Sequence, residues 1–223
     1  MHSMKNTPKT ISGPQTNGAT LHQASQYDIC TGLLGLGVNR RSSKMIIEMA
    51  GIKAGDRVLD VGCGTGNLTL TAKAYAGAFG FVYGIDASPE MIDVARNNAK
   101  RSNLEAVFEV GLIETIAQPD ATFDVVISRL VMHHLPDDVK RRGFAEILRV
   151  LKPGGHIFLV DFNPPSNPIL FHIVSALIGH GTMMQSSVQD LLPLLAEAGF
   201  VDVTSGPTGT ALLAFVGGKK PSA

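Results

Sequence analysis

The sequence predicts an α/β fold: one seven-stranded, mostly parallel sheet with helices on both faces, closed by a C-terminal antiparallel hairpin. Two observations predict it. Short apolar runs alternate with stretches of helical periodicity along most of the chain, which is the pattern of strand–helix–strand units around a parallel sheet. Near the C-terminus two strand-like runs, 201–204 and 210–217, are separated only by residues 205–209. That gap is too short for a parallel crossover, so these two strands must pair antiparallel.

The elements follow in order. Residues 27–50 carry apolar helical spacing broken by Gly32, Gly35 and Gly37, which predicts a helix, a loop, and a second helix over 41–50. Arg57-Val-Leu-Asp-Val61 is a short apolar run that ends in glycines, as a buried parallel strand does. A helix over 67–76 and a strand over 81–86 come next. Ser88-Pro89-Glu90 is a helix start, with a capping hydroxyl, proline at the first helical position and an acid in the first turn, and this helix is expected to reach residue 101. Strands are predicted at 106–112, 123–129 and 156–161. Between the last two lies an amphipathic helix at 137–151, closed by Lys152-Pro153-Gly154-Gly155. After residue 162 the rhythm changes: Pro164, Pro165 and Pro168 precede an apolar stretch at 169–178, followed by Gly179 and Gly181. A helix at 189–198 leads into the hairpin.

Composition narrows the class. The chain has 223 residues, 44% hydrophobic and 17% charged, which suits one globular domain over 21–223. Residues 1–20, rich in Ser, Thr, Asn, Pro and Gly, read as a flexible arm without a signal-peptide core. The formal net charge is zero, so there is no general attraction to nucleic acid. Arg40, Arg41 and Lys44 read as a solvated helix face. Two cysteines, Cys30 and Cys63, form no CxxC pair, so neither a disulfide scaffold nor a zinc site is expected, and a reducing cytoplasmic location fits. No apolar run has the length of a bilayer span. The expected protein is a monomer or homodimer without stable membrane insertion.

The chemistry is concentrated in Val58-Leu-Asp-Val-Gly-Cys-Gly-Thr-Gly-Asn67, where a strand enters Gly62, Gly64 and Gly66 and leaves as a helix. Glycine allows a sharp turn and close approach of backbone to ligand. Asp86 ends the next strand, 20 residues after Gly66, where a carboxylate can accept hydrogen bonds from ribose hydroxyls. Both features fall at the carboxyl ends of strands, the usual binding edge of an open α/β sheet. A dinucleotide loop has the spacing GxGxxG, with room for a pyrophosphate. Here the spacing is GxGxG, with Asp60 two residues before it. An acid there opposes a pyrophosphate and suits a ligand bearing an amino group and a sulfonium. A glycine turn that only packs helix on strand is the bland alternative.

These residues resemble the first motif of the class I S-adenosylmethionine-dependent methyltransferases, whose fold is Rossmann-like. Residues 84–96 (GIDASPEMIDVAR) resemble the second motif, and 123–138 and 147–162 the later ones. Within that family the chain is similar to the ubiquinone/menaquinone C-methyltransferase-like small-molecule group, through residues 27–40 and 208–219. The resemblance implies S-adenosyl-L-methionine as cofactor and a small-molecule methyl acceptor. It implies that Gly62, Cys63, Gly64, Gly66 and Asn67 line the methionine part, with Asp60 beneath. Asp86 would hold the ribose, Ala87 and Met91 would flank the adenine, Tyr27 would close the site, and Ser128 and Arg129, past the fourth strand, would lie beside the methionine. Where the family has Gly-Asp-Ala-Glu, this chain has Gly111-Leu112-Ile113-Glu114, so Leu112 cannot accept the adenine's hydrogen bond, and backbone groups at Leu112 and Ile113, or the Glu114 carboxylate, would serve instead. Asn39 stands where a histidine is expected before Arg40.

Methyl transfer needs an aligned acceptor, excluded water and, for an acceptor that must lose a proton, a base near neutrality. His133 and His134 follow the fourth strand on the ligand side and are the candidates; packing or capping the helix start at Pro136-Asp137-Asp138 is the equal alternative. Residues 163–187 are the expected substrate-covering insertion, whose apolar residues suit an apolar or aromatic acceptor, an ordinary core helix or transient contact with a membrane. Two other functions share the fold: a non-catalytic S-adenosylmethionine-binding protein, and a nicotinamide-dependent oxidoreductase.

Overall fold

The computed structural model describes residues 40–165, 167, 169, 171–172, 187–210 and 212–222. Tyr27, Cys30 and most of the 163–187 insertion lie outside them.

Seven strands form one sheet in the order β3-β2-β1-β4-β5-β7-β6. β1 (Arg57–Val61), β2 (Phe81–Asp86), β3 (Val107–Val110), β4 (Phe123–Arg129) and β5 (Leu151–Phe162) pair in parallel. β7 (Leu213–Lys219) inserts antiparallel between β5 and β6 (Val201–Pro207), so it alone opposes the others. Because side chains alternate along a strand, each strand feeds two cores. Leu59, Val61 and Val126 face α4 (Asp137–Val150) and α5 (Leu191–Ala198), against Phe144, Ile147 and Leu195. Val58, Val125 and Ile127 face α1 (Arg40–Met49) and α2 (Asn67–Ala76), against Ile46, Ile47 and Ala72. α3 (Pro89–Ser102) lays Ile92, Ala95 and Ala99 on Phe108. It starts as its sequence predicts: the Ser88 hydroxyl accepts from Met91 N at 3.2 Å and Pro89 opens the first turn.

Four boundaries depart from the sequence reading. β3 stops at Val110 instead of reaching 112, because Leu112 turns back to bridge Thr115. β5 starts at Leu151 and not at His156. Phe123 pairs with Leu151 and Val125 with His156, so Lys152–Gly155 bulge out of one long strand. The 189–198 helix divides into a 3₁₀ turn, Val188–Asp190, and α5. A reciprocal cap between Ser187 and Asp190 starts that turn, and Pro193 falls within the first turn of α5, where no intrahelical N–H is needed. β6 runs on to Pro207 instead of ending at 204, and β7 spans Leu213–Lys219 instead of 210–217.

Candidate functional site

The glycine loop is sewn to β2. The N–H groups of Gly62 and Cys63 both donate to Ile85 O, at 2.8 and 2.9 Å. The three glycines adopt left-handed backbone angles, with φ of 69°, 52° and 82° at Gly62, Gly64 and Gly66. Their surroundings separate their roles. A Cβ on Gly62 would stand 2.3 Å from Val131 Cγ2, and one on Gly66 2.9 Å from Phe108. Nothing lies within 4 Å of the corresponding point on Gly64. Gly62 and Gly66 therefore let protein pack on protein, and Gly64 alone presents bare backbone to open space.

Asp86 stands behind that opening. One carboxylate oxygen accepts from Gly64 N at 2.9 Å and the other from Ser88 N at 2.9 Å. Burial pushes its acidity down, raising its pKa, and the two backbone donors oppose the shift. Asp60 lies deeper, 1% exposed, and accepts from the Thr69 hydroxyl at 2.6 Å. Its pKa is pushed up to about 6, first by burial, with the Thr69 bond and the nearby Arg129 pulling the other way. Arg129 also donates to the Ser43 hydroxyl of α1 at 3.0 Å, and the buried Ser128 hydroxyl donates to Val61 O at 2.7 Å. Both residues are the last two of β4 rather than following it. These contacts put Asp60, Arg129 and the glycine loop at one end of the sheet.

Other expected residues are placed differently. The Cys63 side chain packs with Leu70, Ile92 and Phe108, and burial raises its thiol pKa, so only the backbone of this residue belongs to the loop. Ile113 is turned into the core, where a Cβ on Gly143 would meet it at 2.6 Å. Met91 is buried, while Ala87 and Leu112 are half-buried just past β2 and β3. Asn67 is exposed at the start of α2, its amide donating to the Thr65 hydroxyl at 3.2 Å.

His133 and His134 lie in a 3₁₀ turn, Met132–His134, with ring centroids 3.9 Å apart. Val131, which presses on Gly62, fixes this turn against the glycine loop. The two rings differ in setting. His133 Nδ1 is 2.5 Å from Asp161 Oδ1, both side chains 3% exposed. Burial, then the neighbouring His133 ring, pushes the His134 pKa down to about 4. Asp161 also accepts from the N–H groups of Met132, His133 and Phe162, at 2.7, 3.2 and 2.7 Å. Sequence reasoning missed Asp161. The signal was present: Leu159-Val-Asp-Phe162 sets an acid in an apolar strand, as Val58-Leu-Asp-Val61 does.

Comparison with known proteins supports the methyltransferase resemblance. Residues 58–155 match the family described as Methyltransferase domain. Over that stretch, from β1 into β5, the chain is similar to methyltransferase domains. More particularly, it is similar to ubiquinone/menaquinone biosynthesis C-methyltransferases. It is 34% identical over 154 residues to the one from Geobacter sp. (strain M21), covering 67% of this chain and 65% of that protein, just under two thirds of its length. To the Azotobacter vinelandii protein of that name it is 28% identical over 221 residues, covering 89% and 87%. The fold is shared with an S-adenosylmethionine-dependent methyltransferase from Aquifex aeolicus, with a TM-score of 0.70 and 21% identity, over 90% of this chain and all of that one.

The residues present fit the cofactor of this family. Gly64 leaves a cradle that a side chain would fill, Asp86 sets an acceptor at its back, and Asp60 supplies negative charge below.

Proposed function

We propose that this protein transfers the methyl group of S-adenosylmethionine to a small, apolar or aromatic acceptor. The observation that carries the reading is the open face of Gly64 backed by the Asp86 carboxylate. Asp86 would trade part of its backbone bonding for the ribose hydroxyls. Asp60 would face the positive amino group and sulfonium, and the backbone of 62–66 would lie along the methionine. The cofactor supplies an electrophilic methyl group when bound. The chain then has to hold an acceptor in line and keep water away. The turn bearing His133 is locked to the glycine loop through Val131, which supports an acceptor site above β4 and β5. The quinone-pathway name of the Geobacter relative and the exposed, apolar Ile169 at the start of the insertion support a lipophilic aromatic acceptor. A net charge of zero supports a small molecule over a nucleic acid.

Calorimetric titration with S-adenosylhomocysteine and with NAD tests the cofactor. Binding of NAD in place of S-adenosylhomocysteine would overturn the reading. Incubation with methyl-labelled cofactor and a panel of hydroquinones, phenols and amines tests the transfer. Label should appear in the hydroquinones or phenols. Tight cofactor binding with no turnover would make the chain a binding protein.

A further inference from the structure

We propose that Asp161 is a positioning residue that holds His133, and not His134, as the base that takes the acceptor's proton. The inference rests on the methyltransferase reading for the base role, while the positioning itself stands on geometry. Asp161 fastens the backbone of the turn through Met132 N and His133 N, and fastens the ring through Nδ1 at 2.5 Å. A carboxylate at Nδ1 selects the tautomer with hydrogen on Nδ1 and a lone pair on Nε2. Nε2 of His133 is buried and meets no hydrogen-bond partner among the described residues. A cavity of about 10 Å³, room for one water, lies against this histidine, lined also by Met132, Lys140, Phe162, Ser187 and Leu191. A buried polar atom that the fold leaves unsatisfied calls for a ligand or water. The cavity lies at the root of the insertion, where the Ser187 hydroxyl donates to Asn163 Oδ1 at 3.1 Å.

The groups that face His133 are consistent with this role. Asp161 bears the charge that stabilises an imidazolium. The ring of His134 lies alongside and stays neutral near pH 7. Lys140 lines the cavity with its ammonium paired to Asp137 at 2.9 Å. In the reaction, the acceptor atom bonds to the methyl carbon and the carbon–sulfur electron pair stays with sulfur. The acceptor's proton passes through the one water that the cavity admits to Nε2 and then to solvent, so charge and atoms balance.

The test is nitrogen NMR of histidine-labelled protein with S-adenosylhomocysteine bound. Wild type should show His133 with hydrogen on Nδ1 and none on Nε2 at neutral pH. Asp161→Asn, whose amide can donate to Nδ1, should move the hydrogen to Nε2 and leave His134 unchanged. With 1,4-dihydroxynaphthalene and S-adenosylmethionine, Asp161→Asn should lower kcat about 100-fold or more and erase its dependence on pH. Asp161→Glu should recover part of it. Hydrogen on Nε2 in wild type overturns the proposal, and this needs no variant to fold. So does an unchanged tautomer in Asp161→Asn, or an equal loss of kcat at every pH. Absence of methyl transfer to the dihydroxynaphthalene counts against the proposed function and leaves the tautomer to decide this inference.

Discussion

Asp60 in β1 and Asp161 in β5 stand two strands apart with β4 between them, and both carboxylates are shut off from water. Asp161 is surrounded by donors: three backbone N–H groups and an imidazole. Asp60 has the hydroxyl and backbone N–H of Thr69 and the more distant charge of Arg129, and its pKa is pushed up, first by burial, to about 6. Burial penalises a charged carboxylate, and only Asp161 has its charge met by a full shell of donors. A carboxylate that binds structure is satisfied from within. Asp60, proposed to face a cationic ligand, has fewer donors around it than Asp161 has.

This contrast can be broken by experiment. The largest effect is expected for Asp161→Ala, which leaves three N–H groups and an imidazole buried without an acceptor. A loss of roughly 3–5 kcal/mol of stability in urea unfolding is predicted; a loss under 1 kcal/mol would show that Asp161 does not hold the turn.

Asp60→Asn should act in the opposite direction. The folded pKa of Asp60 lies above its unfolded value, so its contribution is present below pH 4 and lost as pH rises through about 6. At pH 7.5 the variant should gain up to about 3 kcal/mol over wild type, and at pH 4 nothing. Lower stability at pH 7.5 would mean that the charge is well housed. The same variant should bind S-adenosylmethionine more weakly.

Asp86→Ala tests the other acid of the cofactor edge. Loss of charge-assisted hydrogen bonds should weaken S-adenosylhomocysteine binding by ~1.5–3 kcal/mol in calorimetry. Unchanged affinity would remove Asp86 from the site.

Proton linkage provides a further check. If the cofactor's positive charge uses ionised Asp60, affinity should fall about tenfold per pH unit below about pH 6. Asp60→Asn should flatten that slope, and a flat wild-type profile would sever Asp60 from the ligand. The smallest stability effect is expected at Gly64. Gly64→Ala meets no neighbour, so only its φ of 52° costs, about 1 kcal/mol in a thermal melt, while cofactor binding should suffer more. A stability loss as large as that of Gly62→Ala, which collides with Val131, would contradict the open face.

Much of the cofactor edge was legible because its chemistry is local. Glycines that must turn, an acid after a strand and a capping serine before a helix are all set within a few residues. The strands β1, β2 and β4 fall where their apolar runs predict. Boundaries failed where a distant partner decided them. Lys152–Gly155 looks like a helix stop but joins a strand because β4 pairs on both sides of the bulge. Cys63 and Ile113 sit in binding motifs, yet their side chains turn into the core, since Gly84 and Gly143 leave room there.

The sequence by itself determined the sheet, its antiparallel end and the glycine loop between Asp60 and Asp86, because hydrophobic period and backbone angle are properties of neighbouring residues. Only the tertiary structure decided that Gly64 is the open glycine, and that Asp161 reaches His133 from 28 residues away. Those facts depend on which strands lie side by side, and the pairing of β4 with β5 places the acid beside the ring.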